Sequence, residues 1–422
     1  MMKKYFFLLL FGTFLLSAHA QTDTETQTSP SFSEGDTSVS QDSIDDPVEA
    51  VLPWPQSLQA NIDTLLMTST LLETSQLGLL VYDLTADSAL YRYNHRHTLR
   101  PASTMKLVTA IAALDRLGAD HQLRTTLYYT GQCSDGTLRG DLYCVGGMDP
   151  LFGADDMSAF VDGVRKLGVD TIRGRLVADK SMKDSDLSGW GWCWDDDNPE
   201  LSPLLSGRKD LFAEHFANAL RKAGIFVDVE LTEGRLPRGA NYVVACVHRL
   251  SDVLPKMMKD SDNLFAESLF YQLAATSGAR PATRRHAQAV VGRLIDHALG
   301  LPSSAYVIAD GSGLSLYNYL SPELEVALLR YAWNRLPIRS SLYPSLPIAG
   351  RDGTLDKRMR RTTAEGNVHA KTGTLRGVTT LAGYCTAANG HVLCFSIMNQ
   401  GVMQINRGRD FQDRLCVIMC QP

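Results

Sequence analysis

The chain has 422 residues, of which 44% are hydrophobic and 21% are charged, and its formal net charge is −5. These proportions are typical of a globular protein and exclude wholesale disorder and a fibrous repeat. With 41 Lys and Arg against 46 Asp and Glu, the chain offers no broad basic surface for a nucleic-acid backbone, so nucleic acid is not an expected partner.

The first twenty residues have the pattern of a secretory signal peptide. A basic start with two lysines is followed by an apolar run over residues 5–16 and by a small-x-small cleavage site, Ala-His-Ala, at 18–20. As a helix, this run spans about 18 Å, which is too short to cross a hydrocarbon core of roughly 30 Å. We therefore predict cleavage before Gln21, export to the periplasm or the extracellular space, and no membrane span after cleavage.

Residues 21–50 form an acidic segment. They contain eight Asp and Glu residues, no Lys or Arg, and almost no large apolar side chains. Such a segment cannot bury enough surface to offset the entropy lost on ordering. We predict a disordered acidic linker, which also accounts for the net charge because the remaining chain is nearly neutral.

After the linker, helical and strand-like patterns alternate. A predicted helix over 56–66 leads into strands at 77–84 and 90–93, and a strong helix begins at Ser103 and stops before Gly118. Short strands and turns dominate the next stretch, and helices dominate the one after it. The later predicted strands are 127–130, 142–145, 175–177, 242–247 and 368–371, and the later helices are 157–167, 211–223, 251–258, 263–274, 283–299 and one from about 411.

This distribution predicts an α+β fold with an antiparallel sheet flanked by helices. Segments 51–118 and 245–422 would build one domain from both ends of the chain, and residues 119–244 would form an inserted β-rich domain. The two or three domains expected from length thus reduce to one domain interrupted by one insertion.

Eight cysteines in an exported chain raise the question of disulfides. Two strand-like runs, 381–388 and 391–397, are joined by an Asn-Gly dipeptide, the strongest signal for a two-residue hairpin loop. Such a loop places Cys385 opposite Cys394 at a non-hydrogen-bonded pair, where Cα atoms lie about 4.5 Å apart. We predict a disulfide or direct contact between them, and two reduced cysteines side by side are the alternative. The pairing of the other six cysteines stays open, and no CxxC spacing indicates a metal site.

Three short motifs carry the chemistry, in the order SxxK, SDN and KTG. Ser103 and Lys106 share one face at the start of the strong helix, where backbone N–H groups and the helix dipole favour an oxyanion. Residues 261–263 read Ser-Asp-Asn before another helix, and residues 371–374 read Lys-Thr-Gly-Thr at the end of a strand. Each motif alone is typical of a capped helix or a turn. Their conjunction is typical of active-site serine penicillin-recognising enzymes.

The chain resembles the low-molecular-mass class C penicillin-binding proteins, which are serine D-Ala-D-Ala carboxypeptidases and endopeptidases. The resemblance extends over roughly residues 75–400 and implies a penicillin-binding transpeptidase/β-lactamase-like fold with a domain inserted between the first two motifs. Members often carry a third domain after the segment equivalent to 190–194, but here the chain runs almost directly to the helix at 211, so whether any third domain remains stays open. The family-like stretches are 101–109, 140–142, 146–150, 261–269, 310–315, 346–355 and 370–377.

The resemblance implies that Ser103 is the nucleophile and forms an acyl-enzyme with the penultimate D-Ala carbonyl. Lys106 is the implied base, because burial and a second cation at Lys371 both favour its neutral amine. Ser261 would relay a proton to the leaving amine, and Asn263 would hold the substrate amide and orient Lys106.

Substrate-binding roles follow from the same resemblance. Thr372 and Thr374 would bind the terminal carboxylate of the peptide or of penicillin, and Gly373 would let the substrate backbone approach closely. The backbone N–H groups of Ser103 and Thr374 would form the oxyanion hole. Asp149 resembles an acid of the inserted domain that meets the amino group on the third residue of the peptide, and a structural turn residue is the alternative.

Three nearby features are expected to be structural. Asp262 is expected to cap a helix, His369 to be a structural histidine with hydrogen-bond partners for its ring, and residues 310–313 to form a turn. The implied partners are peptidoglycan peptides ending in D-Ala-D-Ala and β-lactam antibiotics, with water as the acceptor and without a cofactor or metal. The alternatives are a β-lactamase and a catalytically silent wall-binding scaffold on the same fold. The preference for carboxypeptidase or endopeptidase cleavage, the third peptide residue and the oligomeric state stay open.

Overall fold

The computed structural model describes residues 52–196 and 198–421. The predicted signal peptide and acidic linker lie outside these residues. No helix in the described part of the chain is both long enough and apolar enough to cross a membrane. Its α-helices are α1 (Gln56–Thr68), α2 (Met105–Leu117), α3 (Ala154–Arg165), α4 (Phe212–Lys222), α5 (Leu250–Lys259), α6 (Asn263–Ala275), α7 (Arg284–Arg293), α8 (Pro322–Trp333), α9 (Leu336–Ser345) and α10 (Ile405–Cys420).

Two sheets form among these helices, one from the ends of the described chain and one from its middle. The strands are β1 (Gln76–Asp83), β2 (Ser88–Tyr93), β3 (Gln122–Tyr129), β4 (Gln132–Ser134), β5 (Thr137–Arg139), β6 (Leu142–Val145), β7 (Thr171–Asp179), β8 (Phe226–Glu233), β9 (Asn241–Arg249), β10 (His369–Leu375), β11 (Val378–Thr386) and β12 (Val392–Gln400).

The first sheet has the order β10-β11-β12-β1-β2, with every neighbouring pair antiparallel. This confirms the predicted helix-flanked antiparallel sheet. Successive residues of β1 enter two different cores. Leu80 belongs to the cluster that includes Met105 of α2, and Leu79 belongs to the cluster that includes Ile62 of α1 and Leu415 of α10. The strand is a continuous apolar run because helices bury both of its faces.

The second sheet has the order β4-β5-β7-β6-β3-β9, and β8 also pairs with β7. Strand β7 is parallel to β5, β6 and β8, whereas β3 is antiparallel to β6 and β9. Helices α3 and α4 pack on this sheet through Phe160 and Phe216. Its strands lie within residues 122–249, so β9 continues past the predicted boundary at residue 244 because Arg249 still pairs with Gln122.

The hairpin of β11 and β12 corrects the predicted disulfide. Thr386 pairs with Val392, and the loop holds three residues, 388–390, instead of two. The register is therefore shifted by one residue, which sends the two cysteines to opposite faces of the sheet. Cys385 lies in the core shared with α1 and α10, and Cys394 lies in the core shared with α2. The predicted bridge and contact are wrong, and both thiols are free.

Candidate active site

The SxxK motif lies where the chain enters α2. A single 3-10 turn, Ala102–Thr104, precedes the helix, and Ala102 adopts a positive φ of 47°. Thr380 of β11 donates its hydroxyl proton to the Pro101 carbonyl at 2.7 Å, which fastens this turn to the first sheet. Ser103, which is half-buried, is thereby held between the helix and the sheet and lines the cleft.

Lys106 is fully buried beside Ser103. Its Nζ donates to Asn263 Oδ1 at 2.7 Å and to the Ser312 carbonyl at 2.8 Å, and it lies 3.0 Å from Ser103 Oγ. A neutral amine has two N–H groups and one lone pair. Because the first two partners are oxygen acceptors, the lone pair of neutral Lys106 faces the Ser103 hydroxyl. This is the arrangement that a general base needs.

Burial lowers the pKa of Lys106 to about 8, although the nearby charges of Asp310, Glu267 and Asp262 oppose the shift. Lys371 is also fully buried, and its pKa lies well below the ordinary value, first because of burial and second because of the charge on Lys106. Two ammonium groups in one dry site repel each other, so one of the two lysines is driven toward its neutral form.

Lys371 reaches the SDN motif from β10. Its Nζ donates to Ser261 Oγ at 2.9 Å and to the Thr372 carbonyl at 2.8 Å. Asp262 is the N-cap of α6, because its carboxylate accepts from the backbone N–H groups of Leu264 and Phe265, as predicted. The cap places Asn263 as the first residue of α6, with its side chain turned to Lys106.

Gly373 allows β10 to lie directly against the nucleophile turn. A Cβ at this position would lie 2.9 Å from the Ser103 backbone nitrogen and would also clash with Thr380 Oγ1. Any other residue would therefore push the strand away from α2. The close approach brings the Ser103 N–H next to the strand that carries Thr374, as the predicted oxyanion hole requires.

The three motifs line one cleft of about 570 Å³. Ser103 and Ser261 lie on it from the helical side, and Thr372 and Thr374 lie on it from β10. The structure thus brings the predicted motif residues together. The remaining lining residues are Thr354, Asp356, Lys357, Arg358, Asn406, Arg409, Asp410 and Asp413.

One part of the site was not predicted. Glu267 is fully buried one turn after Asn263 on α6, and burial raises the pKa of its carboxyl to about 8. Its Oε1 accepts from the backbone N–H groups of Ser312 at 2.8 Å and Gly311 at 3.0 Å, which aims the Ser312 carbonyl at Lys106. The signal was present in the sequence, because a carboxylate inside an apolar helix, four residues after Asn263, is unusual unless it has partners.

Asp310 was predicted only as part of a turn. Its buried carboxylate accepts from the backbone N–H groups of Gly313 and Ser315, and from Asn318 Nδ2 at 2.7 Å. It also accepts from Trp192 Nε1 at 2.8 Å, in the segment between the first two motifs. The loop that orients Lys106 is therefore held from two parts of the chain.

Two other predicted residues do not line this cleft. The Asp149 carboxylate is buried, lies 2.7 Å from His248 Nδ1 and accepts from the Leu151 N–H. It lines a different cavity, of about 610 Å³, and it does not line the cleft that contains Ser103. His369 stacks on Tyr343 with ring centroids 4.3 Å apart, and burial lowers its pKa. Within residues 52–196 and 198–421, no group of His, Cys, Asp and Glu has the arrangement of a metal site.

Comparisons with known proteins agree with this geometry. The sequence model of the D-Ala-D-Ala carboxypeptidase 3 (S13) family matches residues 58–207 and 205–421. The chain is 30% identical over 444 residues to the D-alanyl-D-alanine carboxypeptidase of Actinomadura sp. (strain R39), covering 82% of this chain and 81% of that protein. It is 26% identical over 422 residues to the D-alanyl-D-alanine carboxypeptidase DacB of Haemophilus influenzae, covering 80% and 88%.

Solved structures give the same result for the fold. The crystal structure of penicillin binding protein 4 (dacB) from Haemophilus influenzae superposes with a TM-score of 0.78 at 25% identity, covering 84% of this chain and 98% of that one. A predatory endopeptidase from Bdellovibrio bacteriovorus, Bd3459, shares the fold with a TM-score of 0.56 at 16% identity, covering 81% and 92%.

Proposed function

Because the chain belongs to the D-Ala-D-Ala carboxypeptidase 3 (S13) family, we propose that it is a serine carboxypeptidase that acts on peptidoglycan stem peptides ending in D-Ala-D-Ala through an acyl-enzyme on Ser103. The observation that carries this proposal is the contact of Lys106 with Ser103. A buried amine with two acceptors and one hydroxyl within 3.0 Å is arranged to remove the hydroxyl proton.

In the acylation step, Ser103 Oγ attacks the penultimate D-Ala carbonyl and its proton passes to neutral Lys106. The backbone N–H groups of Ser103 and Thr374 stabilise the oxyanion. When the intermediate collapses, the C–N bond breaks, a proton relayed through Ser261 reaches the leaving amine, and terminal D-Ala departs. Water then attacks the ester and releases the shortened peptide.

The terminal carboxylate of the substrate would lie near Lys371, Thr372 and Thr374. A carboxylate beside the buried ammonium group of Lys371 raises the pKa of that lysine, so the lysine stays cationic while substrate is bound. The charge on Lys371 in turn disfavours a proton on Lys106. Substrate binding thereby favours the neutral base.

Penicillin offers the same two groups, a reactive carbonyl and a carboxylate, so we infer that it acylates Ser103. One solved structure of the Haemophilus influenzae relative is described as complexed with a novel β-lactam. The test is fluorescent penicillin labelling of the wild type and of Ser103→Ala. We expect a stable adduct on the wild type and none on the variant.

The labelling outcomes separate the rival functions. Label that survives in Ser103→Ala would overturn the nucleophile assignment. An adduct on the wild type that disappears within seconds would indicate a β-lactamase, and no label on either protein would indicate a silent scaffold.

We also propose that the protein is exported to the periplasm or the extracellular space, where peptidoglycan lies. The pattern of residues 1–20 supports this proposal. The intact mass of protein recovered from the envelope fraction should correspond to a chain that starts at Gln21. A mass that retains residues 1–20 would contradict it.

A further inference from the structure

Helix α10 approaches the first sheet next to the KTG strand. Gly408 permits this approach, because a Cβ there would lie 2.5 Å from Thr379 Oγ1. Thr379 pairs with Thr374 across β10 and β11. The residue after the glycine, Arg409, consequently extends to the edge of the cleft, and its Nη2 donates to Thr374 Oγ1 at 3.4 Å.

A second arginine fixes the helix that carries Arg409. Arg358 donates from Nη2 to Asp413 Oδ1 at 2.6 Å, to Gln412 Oε1 at 3.1 Å and to the Arg409 carbonyl at 3.2 Å. These bonds hold the backbone of α10 and occupy the Asp413 carboxylate. Among the described residues, Arg409 forms no salt bridge, its Nη2 donates to the Thr374 hydroxyl, and its charge counteracts the burial that raises the pKa of Asp413 on the next turn of the helix.

The guanidinium group suits a carboxylate at this place. It presents parallel N–H donors that match the two oxygens of a carboxylate, and it stays charged at every physiological pH. Lys371 differs, because its Nζ is committed to Ser261 and the Thr372 carbonyl and its pKa is depressed by burial. The exposed end of the cleft therefore has a permanent cation beside Thr374, which was expected to bind the terminal carboxylate.

We propose that Arg409 binds the C-terminal carboxylate of the substrate together with Thr374 and thereby selects peptides whose leaving residue has a free carboxylate. This inference rests on the proposed carboxypeptidase function and adds a specificity residue that no catalytic motif contains. A hydrogen-bonded contact between charged groups contributes about 10- to 100-fold to kcat/KM. The contribution should vanish when the substrate carboxylate is replaced by an uncharged amide.

The test compares two peptides, one ending in D-Ala-D-Ala with a free carboxylate and the other its C-terminal amide. The wild type, Arg409→Gln, Arg409→Lys and the matched control Arg414→Gln are assayed on both. Arg414 is an exposed arginine of the same helix and does not line the cleft. We expect Arg409→Gln to lower kcat/KM for the acid about 10- to 100-fold, mainly through KM, with little change for the amide. The kcat/KM of Arg409→Lys for the acid should lie between the values of the wild type and Arg409→Gln. Arg414→Gln should keep the wild-type ratio of kcat/KM for the acid to kcat/KM for the amide.

The rates at which penicillin and its methyl ester acylate the same variants are then measured, because acylation can be followed without peptidase turnover. An acid-to-amide ratio in Arg409→Gln equal to that of the active wild type would overturn the inference alone. A wild type that neither releases D-Ala nor is acylated would overturn the proposed function and, with it, this inference. Unchanged thermal unfolding of Arg409→Gln serves as the folding control, since the side chain is exposed.

Discussion

The environments of the two buried lysines differ in what surrounds each ammonium group. Lys106 has the charges of Asp310, Glu267 and Asp262 nearby. These charges raise the pKa of Lys106, whereas burial lowers it. Lys371 has a hydroxyl and a carbonyl as partners and is repelled by the charge on Lys106. The free protein thus holds a proton more readily on Lys106, and a substrate carboxylate supplies the partner that Lys371 lacks. The difference teaches that the protonation state of Lys106, the proposed base, depends on what binds beside Lys371.

The largest expected effect separates the two lysines by substitution. Lys106→Met removes the base while keeping a similar shape, so the rate of acylation by penicillin should fall about 10²- to 10⁴-fold. Lys371→Met removes a charge that binds the carboxylate, so kcat/KM should fall about 10- to 100-fold, mostly through KM. Stopped-flow acylation measures both variants, and thermal unfolding checks that each is folded.

This comparison has a clear counter-result. At saturating penicillin, the acylation rate constant could fall further in Lys371→Met than in Lys106→Met. Lys371 would then be the group that removes the serine proton, and the assignment of the base would be reversed.

A smaller effect should appear in the pH dependence. The pKa of Lys106 without a bound carboxylate is about 8, so the rate of acylation by penicillin methyl ester, which carries no carboxylate, should rise with pH and level off above about 8, where the amine is neutral. Glu267→Gln keeps an oxygen acceptor for the Gly311 and Ser312 N–H groups but removes a carboxyl that raises the Lys106 pKa when it is ionised. Because burial raises the pKa of Glu267 itself to about 8, the carboxyl is only partly ionised on this limb, and the limb should move slightly to lower pH.

The matched control is Glu325→Gln. Glu325 is another fully buried carboxyl, which accepts from Ser396 Oγ on β12, and its charge does not act on Lys106. Its acid limb should coincide with that of the wild type. An unshifted limb in Glu267→Gln would mean that the carboxyl only positions the loop.

The smallest effect on activity is expected outside both lysine environments, at Asp149. Its carboxylate is buried against His248, so Asp149→Asn should lower the free energy of unfolding by about 1–3 kcal/mol while leaving kcat nearly unchanged. Urea unfolding and steady-state kinetics measure the two quantities. A raised KM confined to peptides with an amino group on the third residue would instead support the role predicted from the sequence.

Local spacing made much of the site predictable. Ser103 and Lys106 lie one helical turn apart, and Asp262 caps the helix that starts at Asn263. Short motifs were therefore sufficient to predict which of these side chains share a helix face and where the helix begins. Glu267 and Ser312 were missed because their role depends on how a loop packs on α6, which no short-range pattern reports.

The hairpin shows why register is harder to predict than strands. The Asn-Gly signal correctly indicated a turn, but Gly390 adopts a positive φ of 85° as the last residue of a three-residue loop. One additional loop residue reverses the face of every partner along the strand. The inferred contact between Cys385 and Cys394 failed for this reason, although both strands were predicted.

The bond between Trp192 and Asp310 has a consequence for how this protein can change. Trp192 belongs to the stretch between the SxxK and SDN motifs, and Ser315 Oγ also donates to the Trp190 carbonyl in that stretch at 2.7 Å. The loop that aims a carbonyl at the base is therefore anchored by residues that lie between the SxxK and SDN motifs in the sequence. Deleting or exchanging the intervening stretch would leave a buried carboxylate short of a donor next to Lys106. The stretch between the two motifs is in this sense a structural part of the catalytic machinery, and a minimal enzyme made by excising it would need a new donor for Asp310.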